Sequence, residues 1–198
     1  MPALILGVLA ILVFKKKIKS VKPEKSKANG KRNINYEDIL ETIRKQNGRL
    51  HTILFAANSL DDLPVTIPVN VAIRLSKNHT CLLIDLGTRR NAIARAFDLD
   101  ASPENHSRIT SCSTQLKDVS VWPARNFELL KQMNLRPLLD NAAKKYDYIL
   151  VYAPYLTTLP DRRQIAACTK RAIAFSGNNG SRLMKLLKQC NCKVIKEM

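Results

Sequence analysis

The stretch CLLID, from Cys81 to Asp85, and the stretch YILVY, from Tyr148 to Tyr152, decide the fold of this chain. Both are apolar at successive positions, whereas a strand with one solvated face alternates between apolar and polar residues. Strands of this kind are buried on both faces, as in parallel sheets that are covered by helices. We therefore predict that the two stretches form neighbouring, buried, parallel strands.

Short apolar runs alternate with amphipathic stretches along the rest of the chain. This alternation predicts an α/β fold with a doubly wound, mostly parallel sheet. The predicted strands span residues 52–57, 80–85, 119–122, 148–152, 172–176 and 193–195. The predicted helices run from residue 35 or 36 to the glycine at 48, then over 66–77, 90–97, 127–145 with an interruption near Pro137, 160–170 and 180–189. The polar region 100–116 is predicted to be an irregular surface excursion.

The composition of the 198 residues suits one domain of ordinary size with an appendage. Apolar residues make up 45%, which is enough for a core and excludes a wholly disordered chain. The net charge of +17 favours anionic partners, but nine basic residues and one acid fall between Lys15 and Arg32, so almost half of the excess is local. The five scattered cysteines fit neither a disulfide framework nor a zinc site, so we expect reduced thiols and no metal.

The amino terminus, Met1 to Phe14, has no charged side chain and is followed by three lysines. A helix of this length measures about 21 Å, which is short of the ~30 Å hydrocarbon core of a bilayer. A secretory signal has its basic residues before the apolar run, and a buried core helix would not lead into a lysine run. We therefore favour a short membrane anchor whose basic flank lies in the cytoplasm.

This interpretation divides the chain into three parts. Residues 1–14 are predicted to be a short membrane helix, 15–33 a basic juxtamembrane linker and 34–198 the α/β domain. The domain is then cytoplasmic, at the inner (plasma) membrane. The linker is predicted to contact anionic lipid headgroups through Lys15, Lys16, Lys17 and Lys19.

Four segments near the predicted strands carry the motifs of the domain. They are Val69-Asn70-Val71-Ala72 with Thr66 before it, CLLIDLGTRR (81–90), VWPA (121–124) followed by Glu128-Leu129-Leu130, and YDYILVYAP (146–154). In this order they resemble the cytoplasmic domain of the bacterial tyrosine kinases of exopolysaccharide export (BY-kinases), which belong with the deviant P-loop ATPases. The resemblance covers about Asn35 to Ile195 and implies a fold of P-loop NTPase type.

The same resemblance identifies the positions at which this chain departs from the family. The glycines of the phosphate-binding loop align with Asp61 and Leu63, and the lysine of that loop aligns with Pro64. Its magnesium-binding Ser or Thr aligns with Val65, and the Walker B acid aligns with Tyr152. The resemblance therefore implies that the chain lacks the loop glycines, the lysine that binds phosphate, and both residues that help to bind magnesium.

Three residues match the family at the nucleotide site: Thr66, Asp85 and Arg89. The resemblance implies that they are a vestigial nucleotide pocket, with no catalytic residue and no cofactor. Asp85 also has a structural interpretation, because an acid at the end of a buried strand caps a helix or pairs with Arg89.

These departures predict a membrane-tethered pseudo-kinase or pseudo-ATPase, which is not an enzyme but a binding or regulatory component of exopolysaccharide (capsule) biosynthesis and export. Its partner is predicted to be a polysaccharide-export protein or an active kinase paralogue. The carboxy terminus supports this view, because it ends CNCKVIKEM and lacks the tyrosine cluster that the family phosphorylates.

Two alternatives stay open from the sequence. The chain is an active BY-type tyrosine kinase with an atypical ATP site, or it is a positioning or partition-type adaptor that binds anionic lipid or nucleic acid through its basic segment. Nucleic acid is disfavoured, because residues 15–32 contain no aromatic side chain for base stacking. The oligomer-forming helix of the family aligns with Asp38, Glu41 and Arg44, where the middle charge is reversed. The reversal argues against ring assembly like that of the family, and a homo-oligomer of another kind stays open.

Overall fold

The computed structural model describes residues 34–46, 51–87, 91–99, 111–123, 135–177 and 180–198. The predicted membrane helix and the basic linker lie outside these residues. The helices are α1 (Tyr36–Arg44), α2 (Thr66–Leu75), α3 (Ala92–Ala96), α4 (Leu135–Ala142), α5 (Arg162–Thr169) and α6 (Gly180–Gln189). The strands are β1 (His51–Ala57), β2 (Cys81–Asp85), β3 (Cys112–Ser113), β4 (Val119–Trp122), β5 (Tyr148–Ala153), β6 (Arg171–Phe175) and β7 (Lys193–Glu197).

The described strands form one seven-stranded sheet in the order β3-β4-β2-β5-β1-β6-β7. Neighbouring strands are parallel except for β3 and β4, which are antiparallel. Strands β2 and β5 lie side by side, with Cys81 opposite Tyr148 and Ile84 opposite Val151. All four residues are buried, which confirms the predicted pair of buried parallel strands.

Helices cover both faces of this sheet. Helices α4, α5 and α6 pack against one face, where they meet alternate strand residues such as Leu54, Leu82 and Ile149. The residues between them, such as Phe55 and Leu83, point to the opposite face, because side chains alternate along a strand. These residues are also fully buried, so the predicted doubly wound α/β class is confirmed.

Helix α1 illustrates how the sequence sets the ends of an element. Its N-cap is Asn35, whose side chain accepts hydrogen bonds from the backbone N–H groups of residues 37 and 38. The apolar stripe of Ile39, Leu40 and Ile43 is buried, as predicted. The helix ends at Arg44, before the glycine at 48, which lies outside the described residues.

Two features differ from the prediction. Cys112–Ser113 forms a two-residue antiparallel strand inside the region predicted to be irregular. The segment Leu156–Thr158 forms a 3-10 helix that was not predicted. The predicted helix 127–145 is described from Leu135 to Ala142, and Pro137, the site of the predicted interruption, is the third residue of this part.

Among the described residues, no helix is long and apolar enough to cross a bilayer. The predicted anchor, Met1 to Phe14, lies outside these residues and stays a prediction.

Candidate functional site

The candidate site lies at the carboxyl edge of the sheet, where open α/β folds bind their ligands. Strands β1, β2, β5 and β6 all end at this edge. Of the predicted site residues, Thr66 is the exposed first residue of α2 and Asp85 is the buried last residue of β2. Arg89 lies outside the described residues.

The loop between β1 and α2, residues 58–65, contains the positions that the resemblance aligns with the phosphate-binding loop. It is held by side-chain hydrogen bonds rather than by glycine-rich turns. The Ser59 hydroxyl donates to the Asp62 carboxylate at 2.8 Å and accepts from the Asp62 backbone N–H at 3.3 Å. The Thr157 hydroxyl donates to the Asn58 side-chain oxygen at 2.9 Å, so the 3-10 helix fixes the start of the loop.

The Asp62 carboxylate also packs against Gly177, just after β6. Gly177 has a φ of +47°, and a Cβ atom at this position would lie 2.0 Å from the Asp62 carboxylate oxygen. Only glycine fits this combination of backbone conformation and close approach. An acidic group therefore occupies the mouth of the loop, where a nucleotide-binding protein presents backbone N–H groups to phosphate.

Two prolines reduce the number of backbone donors at the start of α2. Pro64 lies in the loop and Pro68 is the third residue of the helix, so neither position has an N–H group. The N-cap residue, Val65, forms no side-chain cap hydrogen bond. Helix α2 therefore offers an anion fewer donors than a helix amino terminus usually does.

Tyr152 links the loop to the centre of the sheet. It lies in β5 opposite Asp85 of β2 and is fully buried. Its hydroxyl donates to the Leu63 backbone carbonyl at 3.2 Å, and the Leu63 side chain is fully buried as well. Burial, together with the nearby Asp85 charge, raises the pKa of Tyr152 far above its ordinary value, so the hydroxyl keeps its proton.

The Asp85 carboxylate accepts hydrogen bonds from two backbone N–H groups that follow it in the sequence. One carboxylate oxygen accepts from the Gly87 N–H at 2.8 Å, and the other accepts from the Ile93 N–H at 3.2 Å. Ile93 is the second residue of α3, so Asp85 caps this helix, which is one of the two structural roles predicted for it. Gly87 leaves the space for this arrangement, because a Cβ there would lie 3.0 Å from the carboxylate and 3.3 Å from the Tyr152 ring.

The pKa of Asp85 gives a first testable prediction. Burial raises this pKa from 3.8 to about 6, against the lowering effect of the Gly87 and Ile93 N–H groups. The unfolded chain loses this proton near its ordinary pKa and the folded chain only near pH 6. Stability from this group is therefore present at low pH and falls as the pH rises from about 4 through 6.

We expect the free energy of unfolding of the parent chain, measured relative to Asp85→Asn, to fall by about 2 kcal/mol between pH 4 and pH 8. Urea denaturation of both chains at several pH values measures this difference, because other titrating groups cancel. A difference that stays constant over this range would show that the carboxyl group is not shifted upward.

Comparisons with known proteins extend the description of the fold. No protein-family model matches the chain. No curated protein matches it either. Solved structures match: the chimerical protein CapA2B2 has 16% identity and a TM-score of 0.67, over 82% of this chain and 81% of that chain.

Two further structures with the same kind of fold also match the chain. The kinase domain of the Escherichia coli tyrosine kinase ETK has 15% identity and a TM-score of 0.60, over 89% of this chain and 83% of that chain. The septum site-determining protein MinD of Pyrococcus horikoshii OT3, complexed with Mg-ADP, has 16% identity and a TM-score of 0.60, over 75% and 69%. At these identities the likeness shows the fold alone, a mostly parallel α/β sheet of P-loop NTPase type, and it supports the resemblance at that level.

Sequence reasoning missed several residues that shape the site. Ser59 and Thr157 were not singled out, and Gly177 was predicted only as a turn after a strand, although each contacts the loop between β1 and α2. A glycine directly after a predicted strand was the one available signal, because such a position often marks a close approach of two segments. Nothing local indicates that Thr157 reaches Asn58, which lies 99 positions earlier.

Proposed function

We propose that this chain is a membrane-tethered pseudo-kinase or pseudo-ATPase that acts by binding another component of exopolysaccharide biosynthesis and export. The observation that carries the proposal is the buried hydrogen bond between the Tyr152 hydroxyl and the Leu63 carbonyl. The resemblance aligns Tyr152 with the Walker B acid and the loop around Leu63 with the phosphate-binding loop. This hydrogen bond therefore joins the two positions directly. Where the family has a carboxylate that helps to hold Mg²⁺, this chain has a tyrosine whose hydrogen bond stabilises the loop of residues 58–65 without a nucleotide.

The charges of the loop support the same proposal. Asp61 and Asp62 place two carboxylates where a nucleotide would bring its phosphates, and Pro64 supplies neither a cation nor an N–H group. Phosphoryl transfer depends on positioning and on neutralising the phosphate charge, with little covalent work by the protein. A site that lacks these groups and repels the substrate has little basis for catalysis.

The pathway part of the proposal rests on the family resemblance. Tyrosine kinase domains are among the structures that share the fold, and the exopolysaccharide context comes from the resemblance of the four motif segments. A domain that keeps this fold without its active site retains surfaces for a polysaccharide-export protein or for an active kinase paralogue. A fold alone does not establish a function, so the partner has to be tested directly.

One fractionation experiment tests the tether and the lack of activity together. The full chain and a variant that lacks residues 1–32 are expressed, and their membranes and soluble fractions are incubated with labelled ATP and Mg²⁺. We expect the full chain in the membrane pellet, the shortened chain in the supernatant, and no labelled tyrosine in either. An entirely soluble full chain would contradict the tether, and labelled tyrosines would contradict the pseudo-enzyme.

A further inference from the structure

The described charges are distributed unequally between the two edges of the sheet. Apart from Arg74, which pairs with Glu37 of α1, the segments that lead into the strands at the amino edge and the last helical turns before them hold ten basic and four acidic residues, a net charge of +6. The carboxyl edge, with the first helical turns, holds six basic and eight acidic residues, a net of −2. We call the ten basic residues the basic face: Arg44, Lys45, Lys77, Lys117, Lys144, Lys145, Lys170, Arg171, Lys188 and Lys193.

The strand pairing brings the basic face together. Cys81 lies opposite both Tyr148 and Val119, so the lysines that precede β2, β4 and β5 meet at one edge. Arg171 lies opposite Lys193 at the start of β6 and β7, and the Lys193 N–H donates to the Lys170 carbonyl at 2.8 Å. All members are exposed except Arg171, which is half-buried.

The four acids at the same edge offset only part of this charge. The Asp147 carboxylate accepts from the Thr80 N–H at 2.8 Å and from the Thr80 hydroxyl at 3.0 Å. Glu41 pairs with Lys45 within α1 at 2.8 Å. The two other acids are Asp118 and Asp140.

Helix dipoles explain only part of the pattern. Basic residues in a last helical turn interact favourably with the carboxyl end of the helix, which accounts for Arg44 and Lys188. Lys117 and Lys193, in contrast, lie beside or within strands. The imbalance between the two edges therefore indicates a surface that meets an anionic partner.

We propose that the basic face docks the folded domain on a bilayer that contains anionic lipid. The choice of lipid over nucleic acid rests on the membrane tether of the proposed function. Only the 19 residues of the predicted linker, 15–33, separate the predicted anchor from the domain, so the proposed tether would keep the domain near the bilayer. At that effective concentration a weak attraction, of about fivefold per basic residue near the surface, is enough to orient the domain.

Lysine acetylation of the full chain in vesicles tests the proposal directly. The chain is reconstituted into phosphatidylcholine vesicles with or without phosphatidylglycerol, and the rate at each lysine is followed by mass spectrometry. We expect Lys144, Lys170 and Lys193 to react at least fivefold more slowly when the anionic lipid is present. Lys185, which is exposed in the middle of α6, is the internal control and should react at the same rate in both vesicles.

Two variants with the same loss of charge distinguish an effect of the basic face from an effect of the net charge of the domain. The face variant combines Lys77→Gln, Lys145→Gln and Lys188→Gln, and the control variant combines Arg95→Gln, Arg163→Gln and Arg182→Gln at the carboxyl edge. All six side chains are exposed, so both variants should keep the parent circular dichroism spectrum and melting temperature. The face variant should lose the protection of Lys144, Lys170 and Lys193, and the control variant should keep it.

Three results would overturn the proposal. The first is equal labelling in the two kinds of vesicle, and the second is equal loss of protection in the two variants. The third is stronger protection of the same lysines by duplex DNA than by anionic vesicles at the same salt, which would make the surface a nucleic-acid interface. Labelling of Lys15, Lys16 and Lys17 reports the tether separately, so protection there without protection of the basic face rejects this inference alone.

Discussion

Leu150→Asp is expected to destabilise the domain by more than about 4 kcal/mol, a large fraction of the roughly 5–15 kcal/mol by which an ordinary domain is stable. Leu150 is fully buried in β5 at the centre of the sheet. It lies between Ile53 of β1 and Leu83 of β2, both of which are also fully buried. A carboxylate at this position would have only apolar neighbours in the strands beside it.

Leu150→Met is the matched control for this substitution. It conserves the volume and the apolar character of the side chain, so we expect a loss below about 1.5 kcal/mol. Urea denaturation followed by circular dichroism measures both free energies of unfolding. A loss below about 1 kcal/mol for Leu150→Asp would contradict the central position of β5.

Tyr152→Ala is expected to cost about 3–5 kcal/mol, because it leaves a cavity in the core and removes the bond to Leu63. Tyr152→Phe keeps the ring and removes only the hydroxyl, so it isolates that bond. The Leu63 carbonyl then loses its buried donor, at a cost of about 1–3 kcal/mol. In both variants we expect faster hydrogen exchange in residues 58–65, because the loop is no longer held to β5.

Tyr146→Phe is the control for the loss of a tyrosine hydroxyl. The Tyr146 hydroxyl is 3.3 Å from the Ser111 hydroxyl in an exposed position, so its removal should change stability by no more than about 0.5 kcal/mol. If Tyr152→Phe changes the free energy of unfolding as little as Tyr146→Phe does, then the Tyr152 hydroxyl does not hold the loop. The proposal that this bond replaces the nucleotide site would then be wrong.

Much of the fold was accessible from local patterns. The runs at Cys81–Asp85 and Tyr148–Ala153 are apolar at every position but the terminal acid, and burial on both faces leaves few alternatives to a central parallel strand. The start of α1 was readable from Asn35, whose side chain caps the helix. In contrast, β3 has only two residues and is defined by its pairing with β4. A strand of this length has no local sequence pattern from which it could be predicted.

The site was less accessible than the fold. Asp85 could be predicted as a helix cap because its partners, Gly87 and Ile93, are close in sequence. The contact between Tyr152 and Leu63 spans 89 positions and depends on the order of the strands. The resemblance predicts which residues align with the family motifs, whereas the bond from Tyr152 to the loop is visible in the structure alone.

The most direct test of the central claim is a calorimetric titration of Mg²⁺–ATP into the purified domain, residues 33–198. The substitutions Asp61→Gly, Leu63→Gly, Pro64→Lys and Val65→Thr, combined in one chain, provide the comparison, because they restore the donors, the cation and the metal ligand of the loop. We predict no saturable heat for the unmodified domain up to millimolar ATP and measurable binding for the rebuilt one. Saturable binding of ATP by the unmodified domain in the micromolar range would contradict the account and favour an active tyrosine kinase.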